Sequence, residues 1–319
     1  ALLAVFPVLI YHREWMLHLD WILSLGQVLV GLGILFSLNG GFKLRWPIVE
    51  AGHLGKRAFS WVNLSLFLFL NLFVLVPAIA AYLAVCANLA LGHFTGGFMA
   101  LRPAGLVMQA RQYVREDGKT ILLFPMSHIA DSAFYKSVSQ SVSSNSIVLL
   151  EGVTDAKNLL TNGISYRRAA KSLGLAEQHH DLDVHQGELV RADMDVQEFS
   201  PTTVDILNLM GLVHSRGLNS GTLLLLMQFS PPPDVEKQLF ADILLKRNEH
   251  LLKELRERLP DSDNFIIPWG AVHMPGLAKE IQKSGFHLVE THEYVSIRFR
   301  LNRRHDAVAR KIQDAGDSK

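Results

Sequence analysis

The chain has 319 residues, with 31 Lys and Arg against 30 Asp and Glu. So even a balance leaves no basic footprint of the kind that tracks a polyphosphate backbone, which argues against nucleic acid as a partner. A single cysteine, Cys86, excludes an internal disulfide and a cysteine-built zinc site.

The charges are unevenly placed. No Asp, Glu, Lys or Arg occurs from Trp21 to Phe42, and none from Ala58 to Leu101. A hydrocarbon core of about 30 Å needs roughly 20 apolar residues in a helix. Residues 1–100 are therefore expected to form a membrane anchor, with spans at 21–38 and 61–83 and with residues 1–10 as the end of another span. The second apolar run continues to residue 92, which at the helical rise is about 48 Å, and Pro77 is expected to kink it. Trp15, Trp21, Trp46 and Trp61 lie near the ends of these stretches, as indole rings at headgroup level would. Between the spans, residues 39–60 carry Lys43, Arg45, Lys56 and Arg57 against Glu50. The positive-inside bias puts that loop in the cytoplasm and the domain after it outside.

Beyond Arg102, short apolar runs alternate with amphipathic segments. The expected fold class is α/β, a mixed sheet flanked by helices over residues 101–300, preceded by the N-terminal transmembrane helices. Residues 103–116 are expected as a helix, 120–125 as a strand, 131–142 as a helix and 146–152 as a second buried strand. Helical stretches are expected near 155–174 and 202–229, the latter Leu-rich and assigned to core packing. After Pro231 to Pro233 a periodic helix is expected from Asp234 to about Leu259. A strand at 264–269, a helix from Pro275 to Gly285 and a strand at 286–293 follow, with 301–319 as a polar tail.

Two stretches share one order of parts: strand, proline, turn, histidine, helix, strand, glutamate. The first holds His128 and Glu151; the second holds His273 and Glu290. Read as two β-α-β units in one sheet, they put both histidines just past the carboxyl ends of their strands, the edge where ligands bind in open α/β sheets. Glu151 ends the run IVLLE. A carboxylate there is costly unless it is paired, bound to a cation, or capping a helix at the sheet edge. Glu290 is set aside because its neighbours, ETHEY, are solvated. On the helix 234–259, Arg247 lies four residues from both Ile243 and Leu251, along the apolar stripe. It is either a buried guanidinium wanting an anionic partner or an arginine snorkelling from the stripe edge. Asn248, between Leu244 and Leu252, is similarly placed. His179 to His185 (HHDLDVH) is taken as a solvated loop or strand edge, since adjacent histidines on a regular element cannot face one ion. Signatures of zincins, serine hydrolases and Walker loops are missing.

In this order, the segments resemble the TraB/Tiki family. IIPWGAVHMPGLAKEIQKSGF is similar to its second GxxH motif, with Gly270 and His273 as the pair, and LLFPMSHIADSAFYKSV is similar to the first, followed by a strand-terminal glutamate at Glu151. LGLAEQHHDLDVHQGELVRADMDVQEF resembles the middle segment, which puts Asp193 on the family's acidic position. LLKRNEHLLKEL resembles the Arg-Asn helix at Arg247 and Asn248. The likeness covers about residues 119–296, and it departs at Pro125, which stands where the first motif has glycine.

The resemblance implies a fold like that of the erythromycin esterase and ChaN-like haem-binding group. It implies a membrane-tethered metallopeptidase acting on peptides or proteins, in which His128, Glu151 and His273 frame a divalent ion (Mn, Co or Zn). Glu151 would serve as ligand or general base, and Arg247 would steady the oxyanion or the carboxylates. The alternatives are a peptide- or haem-binding protein of the same fold without turnover, favoured by Pro125, and a small-molecule esterase.

Overall fold

A computed structural model of the chain describes residues 16–39, 60–161, 165–178 and 186–299. The expectations for residues 1–10, for most of the loop 39–60, for His179 to His185 and for the tail 301–319 lie outside the described residues. Two compact units divide the chain, Ala1–His93 and Phe94–Lys319.

The first unit is helical. Helix α1 spans Met16–Asn39 and α2 spans Trp61–Phe94. Among the described residues α2, at 34 residues, is the one helix long and apolar enough to cross a membrane; the apolar part of α1, Trp21–Ser37, is shorter. Leu66, Phe67, Phe73 and Val85 of α2 are all exposed. Its one irregularity is a π turn at Asn71–Leu75, directly ahead of Pro77. Proline lacks the N–H that would bond four residues back and its ring crowds that carbonyl, so a wider turn before it relieves both.

The second unit is an α/β layer structure, as the alternation of elements implies. Its strands are β1 (Met99–Arg102), β2 (Gly105–Val114), β3 (Thr120–Met126), β4 (Ile129–Ala130), β5 (Ser146–Leu150), β6 (Ala176–Glu177), β7 (Glu188–Arg191), β8 (Asn264–Gly270) and β9 (His287–Arg298). The helices are α3 (Ser132–Gln140), α4 (Arg167–Leu173), α5 (Pro201–Arg216) and α6 (Ser220–Gln228), then α7 and α8 (Met274–Lys283). In α7 the segments Val235–Phe240, Ala241–Lys246 and Arg247–Arg258 run on as one helix with a π turn in the middle.

Seven strands form one mixed sheet, in which β3, β8, β5 and β7 run parallel. Strand β2 lies antiparallel to β3 and carries β9 along its other edge, also antiparallel. Period-two alternation sorts the side chains. Ile121, Leu123, Phe265, Ile267 and Trp269 pack on one face, with Leu251 and Leu255 of α7 and Leu277 and Ile281 of α8. Phe124 and Met126 face the other side, against Phe134, Tyr135 and Val138 of α3. With helices on both faces, β3, β5 and β8 are buried along most of their length, which explains their unbroken apolar runs, whereas β7 at the edge buries only Val190.

Several expectations change. Residues 103–116 are not a helix: Gly105–Val114 is the strand β2, paired on both edges. Met, Gln, Ala and Arg favour helix intrinsically, but two flanking strands override so weak a preference. Within 155–174 only Arg167–Leu173 is helical among the described residues. Both oxygens of the Asp155 carboxylate accept from the backbone N–H groups of Leu159 and Leu160, holding a local turn in place of a helix. The paired β-α-β units are not equivalent. Strands β3 and β5 both lie parallel to β8, whereas β9 leaves α8 to run antiparallel to β2, where Glu290 pairs with Gln112 in the ladder, away from the strand ends. The Leu-rich stretch 202–229 is two helices, α5 and α6, and the second is exposed where core packing was expected.

Gly105 opens β2 at φ +150°, and a Cβ there would run into the carbonyl oxygen of Ile297 on β9. Gly105→Ala is expected to destabilise the domain by about 1–3 kcal/mol, read as a lowered thermal midpoint of the full chain in detergent. An unchanged midpoint would mean that the close approach of β9 is dispensable.

Candidate functional site

Parallel strands end at one edge of a sheet, so the residues just past them meet there. Strands β8, β5 and β7 are adjacent, and they are followed in turn by His273, Glu151 and Asp193. From the helix layer, α7 brings Arg247 and Asn248, both buried. Their burial agrees with the stripe reading, and one detail of the stripe is new. The π turn Ala241–Lys246 adds a residue to the turn and shifts the phase of what precedes it. Phe240, one turn before Ile243 and Leu244 and apolar like them, is exposed, and Asp242 is buried instead. Burial would raise the Asp242 pKa, but hydrogen bonds from Lys246, Thr203 and Ser200 hold it down at about 2. Asp242 thereby ties α7 to the start of α5, through Ser200 N–H at 2.8 Å.

Arg247 is the centre of the cluster. Its Nε donates to Asp193 Oδ1 at 3.0 Å and its Nη2 donates to Asp193 Oδ2 at 2.6 Å, a two-point grip. The same Nη2 donates to Glu151 Oε1 at 2.9 Å, and Nη1 lies 3.3 Å from His273 Nε2. Burial alone would lower the Arg247 pKa; the hydrogen bonds and charge of Asp193, and then Glu151, raise it. The carboxylates are themselves anchored. Asp193 accepts from Gly152 N–H and Met194 N–H, both at 2.9 Å, and Glu151 Oε2 accepts from Gly270 N–H at 2.6 Å. A Cβ at Gly270 would lie in ordinary van der Waals contact with Glu151 and the His273 ring, so it is the backbone N–H of this residue that the contact uses.

His273 is held by α7 on its other side. Its Nδ1 donates to Asn248 Oδ1 at 2.7 Å, and Asn248 Nδ2 donates to the His273 carbonyl at 3.4 Å. Asn248 reaches this position because residue 276 is glycine; a Cβ there would sit 2.7 Å from Asn248 Nδ2. The amide fixes the tautomer: the proton is on Nδ1 and the lone pair on Nε2, which faces Arg247 and lies 3.6 Å from Glu151 Oε1. Burial lowers the His273 pKa to about 4, with Arg247 adding to the effect and Glu151 and Asp193 opposing it, so the ring is neutral near pH 7. Beneath it stands Trp269, edge-on at 5.2 Å, its indole N–H donating to Leu149 O at 2.9 Å. The side chains of His273 and Asp193 are 2 % and 0 % exposed, while those of Arg247 and Glu151 are 11 % and 12 % exposed. The first two form a floor, and the second two form the surface that solvent reaches.

Five of the six expected site residues thus meet in one bonded cluster, and His128 stands apart from it. After β3 the chain turns at once into the short strand β4, where Ile129 pairs with Glu177 of β6. The His128 carbonyl accepts from Gln178 N–H, and its exposed ring stacks on Tyr166 at 4.9 Å and 8°. Among the described residues no group of three or more His, Cys, Asp or Glu side chains is set to hold a metal. Two of the three expected donors are nonetheless neighbours. His273 Nε2 and Glu151 Oε1 face each other across 3.6 Å, and two carboxylates stand against one guanidinium, leaving excess negative charge. Of the three residues expected around one ion, His273 and Glu151 are therefore neighbours, each also bonded to Arg247, and His128 lies apart.

Asp193 had no periodic signal of its own and was legible only through the resemblance. Asp242 and Gly276 were not singled out at all. The glycine three residues after His273 was the available sign that something approaches that helix closely.

The chain is thus an α/β protein with a buried carboxylate–guanidinium–imidazole cluster at the carboxyl edge of its parallel strands. Comparison with protein-family models, curated proteins and solved structures finds no match to it.

Asp193→Ala would leave two Arg247 N–H groups and two backbone N–H groups without their acceptor. A loss of about 3–5 kcal/mol is expected, as for breaking a buried ion pair from one side, measured by denaturant unfolding; a loss under about 1 kcal/mol would place the pair in solvent. In metal-free protein His273 also sets a pH dependence. Its folded pKa of about 4 lies below the reference 6.5, so between those values the unfolded chain binds the proton more readily. Stability is then fully present above about pH 6.5 and falls as pH drops towards 4, by on the order of 3 kcal/mol. The slope should vanish in His273→Gln.

Proposed function

We propose that this chain is a membrane-anchored hydrolase that cleaves peptides or proteins with the help of a divalent cation held at Glu151 and His273. The observation that carries the proposal is the neutral His273, whose Nε2 accepts from Arg247 Nη1 at 3.3 Å and lies 3.6 Å from a carboxylate oxygen at the carboxyl edge of the sheet. A core histidine needs no such arrangement. A ligand or acceptor does, and the Asn248 bond that holds the tautomer is the usual support for one. The cation would be Mn, Co or Zn, and when bound it would acidify a water and polarise a scissile carbonyl.

The protein groups have separable tasks. Asn248 keeps the His273 proton on Nδ1 and leaves Nε2 as an acceptor, which in this structure faces Arg247 Nη1. Glu151, at the exposed rim, is placed to take a proton from water through Oε1. Arg247 locks both carboxylates, and its charge beside Glu151 Oε1 would offset negative charge developing at that rim. Asp193, fully buried, keeps Arg247 from swinging away. We further infer that α1 and α2 are the anchor and that the α/β domain lies outside the cytoplasm. The length and exposure of α2 support the first inference, and the basic residues between the helices support the second.

One observation favours a second reading, in which the same fold binds a peptide or haem group without turnover. His128 is not in the cluster, and Glu151 and Asp193 are already bonded through all four oxygens.

The two readings part on one experiment. Purified full chain in detergent is incubated with Mn, Co or Zn and a peptide library, and products are read by mass spectrometry. Metal-dependent cleavage is expected, lost in His273→Ala and reduced about 10–100-fold in Asn248→Ala, with thermal unfolding confirming that both variants fold. Undiminished turnover in folded His273→Ala would remove the site assignment. No cleavage with any metal, together with a bound ligand recovered from the protein, would establish the second reading.

A further inference from the structure

Helix α6 has the sequence SGTLLLLMQ, and Thr222 is its one buried residue. Leu223, Leu224 and Met227 are 53 %, 56 % and 77 % exposed, as is Leu218 ahead of them at 75 %. No charged residue occurs between Arg216 and Asp234. A helix apolar on every side belongs in a core or in lipid, not in water. Nor is α6 a frayed end. Asn219 Oδ1 accepts from Gly221 and Thr222 N–H at 3.0 Å, Thr222 Oγ1 accepts from Asn219 N–H at 2.9 Å, and Pro231 to Pro233 close the segment.

The segment 217–233 forms a hairpin with α5 and lines a groove there, and a second cavity, which it does not line, lies next to that groove. A groove of about 780 Å³ is lined by Leu209, Met210, Val213, Leu226 and Phe229, with Glu236 its one acidic residue. A second cavity of about 910 Å³ is lined by Arg167, Arg168 and Lys171 of α4 and by no acidic residue. His214 lines both, so the apolar groove and the basic basin share a wall. An apolar tip beside a cationic basin matches the chemistry of an anionic lipid interface, acyl chains beneath and phosphates above.

We propose that the hairpin 217–233 is a second membrane contact, its leucines seated at the headgroup–acyl boundary while Arg167, Arg168 and Lys171 take lipid phosphates. The occupant is the bilayer. This goes beyond the hydrolytic reading and shares with it only the membrane location.

The test uses full chain in a Cys86→Ala background, reconstituted into vesicles of phosphatidylcholine with or without phosphatidylglycerol. Leu224→Cys carries an environment-sensitive fluorophore, with Leu72→Cys in α2 as the lipid control and Lys253→Cys as the aqueous control. The Leu224 label is expected to shift to the blue, to be quenched by nitroxide lipids and to be protected from iodide, more strongly with phosphatidylglycerol present. Exchanging Arg167, Arg168 and Lys171 for Glu should remove that lipid preference and leave the Leu72 signal unchanged. A label open to iodide overturns the proposal. So does one shielded from both quenchers, which would mean burial against protein, including a second copy. Equal quenching in both vesicle types removes the basin as a phosphate site. None of these readouts depends on turnover, so failure here and failure of the hydrolase reading are distinguishable.

Discussion

A guanidinium placed at the ends of parallel strands has to be paired, and the way Arg247 is paired organises much of this domain. Asp193 holds it by two hydrogen bonds and Glu151 by one, and neither acid can be exchanged for water at the floor of the site, where Asp193 is fully buried. Because the two carboxylates come from the loops after β5 and β7, those loops must end at the same point. Since the arginine comes from α7, that helix must cross the strand ends with its buried stripe in one phase. The π turn before Arg247 and the Asp242 anchor on α5 fix the phase from the N-terminal side. Asn248 fixes it from the next position, against α8.

That pairing also explains the state of the histidine. An imidazole beside two carboxylates would ordinarily gain a proton. Here the arginine offsets much of their field and burial removes the water that would solvate an imidazolium, so the ring stays neutral. Nε2 is left as an acceptor as a result, and Arg247 Nη1 faces it at 3.3 Å. The site is asymmetric for a topological reason: β8, β5 and β7 supply the cluster, whereas β3, on the other side of β8, runs straight into β4 and takes His128 with it.

The same chain carries apolar surface at two separate places, α2 and α6. In α2 the length is what marks it, and in α6 it is the exposure of the leucines around a capped helix. The core of the α/β domain is built from the two faces of the sheet and includes residues of neither helix.

Much of this organisation was legible in the residues. Buried parallel strands announce themselves as unbroken apolar runs, so β3, β5 and β8 were found within a residue or two, and the 3.6-residue period found α3, α7 and α8. The stripe on α7 also marked Arg247 and Asn248 as buried, because helical phase is a local property. What depends on partners was not legible. Strand β2 exists because β3 and β9 flank it, β9 left the expected repeat to pair antiparallel, and α6 lacks the packing its leucines suggested. For the site, sequence could bring Glu151 and His273 to strand ends but could not decide which ends are neighbours. Strand order, a non-local choice made by the whole sheet, set β7 beside β5 and so brought Asp193 in, while the β4–β6 pairing took His128 out.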